Sequence, residues 1–143
     1  AITPTNDKCG SNFGIVINWG RSVIENRNVK GPLKHIKYAD QNNVLGRIMF
    51  SGTTANNNNL YGPWSDLHMP PALFSDYKYF EPESLMSYKN IKRTLAACNL
   101  SSLDCLGLKL LAMPKESSIK KRVAINRDTM YLLDQAMAEI YKA

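Results

Sequence analysis

Leu33-Lys-His-Ile-Lys-Tyr38 and Val44-Leu-Gly-Arg-Ile-Met-Phe50, separated by Ala39-Asp-Gln-Asn-Asn43, decide how the rest of the chain is read. In the first run Lys34, Ile36 and Tyr38 alternate with Leu33, His35 and Lys37. In the second, Val44, Gly46, Ile48 and Phe50 alternate with Leu45, Arg47 and Met49. A period of two is the signature of a strand with one buried face. Asp40 to Asn43 is turn chemistry, because Asn and Asp tolerate left-handed backbone and hydrogen-bond their own turns. The pair therefore predicts a β-hairpin with a four- or five-residue loop. One face is apolar; the other presents His35, Lys37 and Arg47.

Upstream, Phe13, Ile15, Ile17 and Trp19 form another alternating set, ended by Gly20. Residues 21–28 suit a short helix or a strand equally, and Gly31-Pro32 is a break. Downstream, Leu73–Phe80 and Leu106–Leu110 carry strand-like patterns. Pro82 between Glu81 and Glu83 is a helix-start signature. It is followed by Tyr88, Ile91, Leu95 and Cys98 at helical spacing. Asn126 or Asp128 caps a last helix running to about Lys142. Strands early, then helix, strand and helix, predict an α+β fold. The expectation is a single domain over 1–143, with an antiparallel sheet of three to five strands and two helices packed on one face. Residues 1–11 read as an extended arm and residues 51–72 as a long irregular loop.

At 143 residues and 44% hydrophobic the chain can bury a core. No apolar run reaches the length of a membrane span, so none is expected within the chain. The charge is +6, from eighteen Lys and Arg against twelve Asp and Glu. That balance raises the case for an anionic partner without reaching the charge density of a dedicated nucleic-acid tail. The sequence starts at Ala1 without an initiator Met, which fits a trimmed Met, or a leader or anchor removed.

Cys98 and Cys105 lie seven apart, and a helix end plus a short turn would let them form a disulfide. Cys9 is then free, or joins another chain; pairing of Cys9 with Cys98 or Cys105 is the alternative. Three cysteines do not supply a zinc site, and neither a metal nor a cofactor is expected. The Cys98–Cys105 pairing favours a periplasmic or secreted address, while three reduced thiols in the cytoplasm is the other reading.

Two function classes remain. The favoured one is a non-catalytic extracytoplasmic protein-interaction domain: a sensor, adhesion, secretion-apparatus or immunity component. Its contact surface is the proline-flanked loop bearing Trp64, Leu67 and Met69, since aromatic and Met side chains give large, adaptable contact area. Oligomers could form through Cys9 or a sheet edge. The alternative is a small basic RNase or nuclease, toxin-like, or a non-enzymatic nucleic-acid binder. RNA cleavage needs a base, an acid and a cation, and His35, His68 and one of Lys34, Lys37 or Arg47 would supply them. Nucleic acid is the less favoured partner, and the balance leans away from an enzyme.

Overall fold

A computed structural model describes residues 13–142; the extended arm expected over 1–11, and Cys9 within it, lie outside the described residues. Strand β1 (Ile15–Asn18) runs directly into helix α1 (Trp19–Asn26). Asn18 makes this junction: its side chain accepts a hydrogen bond from the Arg21 amide at 3.1 Å, satisfying one of the open amides of the first turn. Arg27, in the left-handed region at φ 44°, ends α1. Helix α2 (Gly31–Gln41) follows, with Pro32 in its first turn. Then come β2 (Leu45–Phe50), α3 (Tyr88–Leu95), β3 (Cys105–Leu108) and α4 (Ile119–Tyr141).

The α+β class stands, but the antiparallel sheet does not. The three strands are all parallel, in the order β1-β2-β3. The reason lies in the stretch that opened the sequence reading. Leu33–Tyr38 is not a strand but the middle of α2. Ile36 and Ala39 are fully buried there, with Leu33 half-buried beside them, while Lys34, Lys37 and Tyr38 face water. Spacings of three fit a helix as well as alternation fits a strand, and six residues do not separate the two. Asn42 and Asn43 close the helix: the side chain of Asn42 donates to the Tyr38 carbonyl at 2.7 Å, and Asn43 has φ 53°. A helix between two strands is the long crossover that parallel pairing requires, where a hairpin needs only a short turn.

Other boundaries move for similar reasons. The helix expected from Pro82 starts at Tyr88, because residues 81–86 spend their backbone on the preceding loop. Glu81 N–H donates to Pro71, Ala72 N–H to Met86, and Leu85 N–H to Thr53. Ser87 is the cap instead, accepting from Asn90 N–H at 3.3 Å. The last helix starts at Ile119, earlier than expected, with Ser118 accepting from the Lys121 amide at 3.2 Å. Residues 73–80 form no strand. In place of two helices the described residues hold four α-helices.

The core lies between the helices and one face of the sheet. Ile48 and Phe50 of β2 are fully buried, and Ile15, Ile17, Leu106 and Leu108 pack beside them. Trp19, Val23, Ile36, Ile91, Leu95, Leu132 and Leu133 cover these residues from the helices. The opposite face carries Val16, Arg47 and Cys105, all exposed, with half-buried Met49 and Gly107. Residues 51–87 contain no helix or strand, only the bridges Gly52–Met69 and Thr54–Pro63. This segment arches over the carboxyl end of β2.

Candidate functional site

The three parallel strands end together at Asn18, Phe50 and Leu108, and the next residues along each chain build a polar cluster. Asn18 Oδ1 accepts from the Ser51 hydroxyl at 3.0 Å, tying the end of β1 to the end of β2. Lys109 N–H donates to the Phe50 carbonyl at 2.9 Å, which carries β3 forward beside β2. The loop brings His68 onto this edge. Its carbonyl accepts from Leu111 N–H at 2.8 Å, and the neighbouring Met69 exchanges two hydrogen bonds with Gly52. His68 is thus fixed between the extensions of β2 and β3.

Asp66 links the imidazole to α1. Arg21 Nε donates to Asp66 Oδ2 at 2.8 Å, and Asp66 Oδ1 lies 3.2 Å from His68 Nδ1. Oδ1 and Nδ1 are shut off from water and face each other slightly off the line of a good hydrogen bond. His68 sits at φ 55° and Trp64 at φ 51°. Bulky residues held in the left-handed region cost on the order of 1–3 kcal/mol each, and such strain concentrates at functional sites.

Burial holds the His68 pKa below its ordinary 6.5. Asp66 opposes this, while Lys109 and Arg21 push it further down. The imidazole is therefore neutral at pH 7, with Nδ1 turned to the carboxylate. Because the folded pKa lies below the unfolded one, the stability this adds is complete above about pH 6.5 and is lost as pH falls through the folded value.

The structure does not bring the nuclease set together. His35 lies on α2, its Nδ1 3.0 Å from the Ser22 hydroxyl, clipping α2 to α1. Lys37, two residues further, lies on the other side of α2 and is exposed. Arg47 is on the uncovered sheet face, lining a cavity of about 240 Å³ with Val16 and Asp104. His68 alone reaches the strand ends.

Of the loop residues expected to bind a partner, Met69 is fully buried and Trp64 packs against the core, which leaves Leu67 exposed. Cys98 and Cys105 are both free thiols, so the expected bond between them is not formed. Burial pushes Cys98 up to about 11, helped by Asp40. Arg21, Asp66 and Lys109 were missed. Two signals were available: Asp66-x-His68, and an arginine three residues after the strand-ending Asn18.

Among the described residues no three His, Cys, Asp or Glu side chains gather to hold a metal. No described helix is long and apolar enough to cross a membrane. A cavity of about 190 Å³ lined by Phe13, Asp40, Asn43 and Asp104 occupies the amino ends of the strands, opposite His68.

The far side of the loop is pinned by Tyr61, whose hydroxyl donates to Leu111 O at 2.7 Å and accepts from Met113 N–H at 3.1 Å. Burial, then the charge of Glu81, raise its phenol to about 12. The neutral phenol's contribution to stability is therefore complete below pH 10 and disappears as pH rises toward 12. Burial and the Glu139 carboxylate also raise Tyr88 to about 12, so spectrophotometric titration should show two late-ionising tyrosines, of which Tyr61→Phe removes one.

Parallel strands joined by helical crossovers, with ionisable groups meeting at the strands' carboxyl ends, define the class of architecture to which this chain conforms. It belongs to the family described as a domain of unknown function (DUF4862), whose profile matches residues 1–125. It is 39% identical over 124 residues to the uncharacterized protein STM3670 of Salmonella typhimurium strain LT2. That match covers 87% of this chain and 37% of the relative, so the chain spans little more than a third of the relative's length. No solved structure matches.

Proposed function

We propose that the chain carries an acid–base site for a small anionic substrate, built around His68 at the carboxyl ends of the parallel strands. The observation that supports this reading is the meeting of His68, Asp66, Arg21 and Lys109 at that edge. Ligands of parallel sheets bind in the crevice beyond the carboxyl ends of the strands, where side chains from several strands converge. His68 is the base: neutral at pH 7, it takes a proton from substrate at Nε2. Asp66 is a positioning residue that holds Nδ1 and stabilises the imidazolium once formed. Lys109 is exposed, with no ion-pair partner among the described residues, and Arg21 is only partly neutralised by Asp66. Both cations attract an acidic group and stabilise negative charge that develops during reaction.

The test is an NMR titration of the His68 imidazole, with inorganic phosphate as the probe. In the free protein it should titrate below 6.5. Asp66→Asn should lower the midpoint further, and Lys109→Ala should raise it. Millimolar phosphate should raise it as well, by screening the two cations, and this response should vanish in an Arg21→Ala/Lys109→Ala double variant. A midpoint at or above 6.5 that ignores phosphate would overturn the reading.

A further inference from the structure

We infer that the uncovered sheet face is the inner lining of a closed parallel barrel, completed by further strand–helix units of a longer polypeptide such as the Salmonella relative. The argument begins with strand order. The sheet advances in one direction, β1 to β2 to β3, with a helical connection at each step. Crossovers between parallel strands are right-handed almost without exception, so a sheet that never reverses direction places every helix on the same face. That is the arrangement here, where one core joins all four helices to one face. A sheet wound this way leaves its other face bare. Parallel sheets occur almost only with both faces covered, and a sheet wound in one direction covers the second by curling into a barrel.

The bare face suits that role. Register places Val16 beside Arg47 and Cys105 in one layer, and Asn18 beside Met49 and Gly107 in the next. Val16 is 53% exposed although it is aliphatic and mid-strand. Met49 lies across Gly107, its methyl 2.8 Å from where a Cβ would stand, so the two strands already interlock on this side. The outer edges of β1 and β3 pair with no strand among the described residues.

Chain length points to the occupant. Three strands fall within a segment matching 37% of the relative. At that rate the whole relative has room for about eight, the number that closes a parallel strand–helix barrel. The polar cluster around His68 would then stand at the barrel's mouth. The inference does not depend on the chemistry of that cluster, and the two fail separately, since His68 can titrate as described in an open sheet.

The test compares thiol labelling in two proteins. Val16→Cys and Met49→Cys are made in this chain, and the aligned positions are replaced in the intact Salmonella relative. Adducts are located by peptide mass spectrometry, and hydrogen exchange is followed at β1 and β3. Both cysteines should label readily in this chain and be protected in the relative, where the outer-edge amides of both strands should also exchange slowly. Tyr38→Cys, on the exposed face of α2, should label in both proteins. Ready labelling of the Val16 and Met49 positions in the intact relative would overturn the inference. So would protection in this chain alone through a dimer of two copies, or protected face positions with freely exchanging edges.

Discussion

Trp19→Ala should destabilise the fold by about 3–5 kcal/mol, a large share of the roughly 5–15 kcal/mol that holds a domain of this size. Trp19 is fully buried at the β1–α1 junction and is the largest side chain in the core. Its ring reaches from α1 to Thr94 of α3 within the core, and truncation leaves a cavity that the packed neighbours can only partly fill. Its Nε1 also donates to Thr94 Oγ1 at 2.9 Å, while Thr94 donates to the Asn90 carbonyl at 2.7 Å. Removing the indole leaves the threonine oxygen without its donor inside the core. Trp19→Phe should lose about half as much, because it keeps most of the volume and drops only the hydrogen bond. Urea unfolding followed by circular dichroism, with Trp64 as the remaining fluorophore, measures both. A Trp19→Ala cost below about 1 kcal/mol would mean that the core is not organised around this residue.

Gly52→Ala should cost about 3 kcal/mol, and it should disturb the His68 site more than its size suggests. A Cβ at Gly52 would stand 2.4 Å from the Met69 carbonyl oxygen and 2.8 Å from the Ser84 hydroxyl. The carbonyl cannot move without breaking the paired hydrogen bonds, at 2.8 and 3.1 Å, that join Gly52 to Met69. Those bonds are what hold the loop against β2 immediately beside His68. The variant should therefore shift the His68 titration back toward 6.5 as the imidazole regains water, together with a lower unfolding midpoint. Ser84→Gly combined with Gly52→Ala removes only the softer of the two clashes and should recover little. Full recovery would show that the side chain, not the backbone, was the obstacle.

The fold was legible where a pattern was local. Val44–Phe50 reads as a strand because alternation and β-branching agree, and β2 is there. The last helix and the strand at Leu106 to Leu108 were visible for the same reason. Leu33–Tyr38 was not, because a short amphipathic segment satisfies periods of 2 and 3.6 equally until something fixes its partner. That one ambiguity turned a crossover helix into a hairpin arm and a parallel sheet into an antiparallel one. In the site, His68 was picked out from its residue type, whereas Arg21, Asp66 and Lys109 were not. Asp66 stands two residues from His68, but Arg21 and Lys109 come from separate stretches of chain, and no spacing links either to the histidine. The expected partners of His68 went the other way: His35 caps a helix contact and Arg47 faces away from the strand ends.

Residue order by itself determined the class, the presence of a buried core, the basic balance and the strand at β2, since each depends on composition or on periodicity over a few neighbours. Tertiary structure alone decided that the strands run parallel, that one sheet face stays bare, and that His68 meets Asp66, Arg21 and Lys109. Strand direction depends on what joins the strands and on how the helices pack back, and a cluster of charges drawn from distant segments exists only once that packing has placed their backbones side by side.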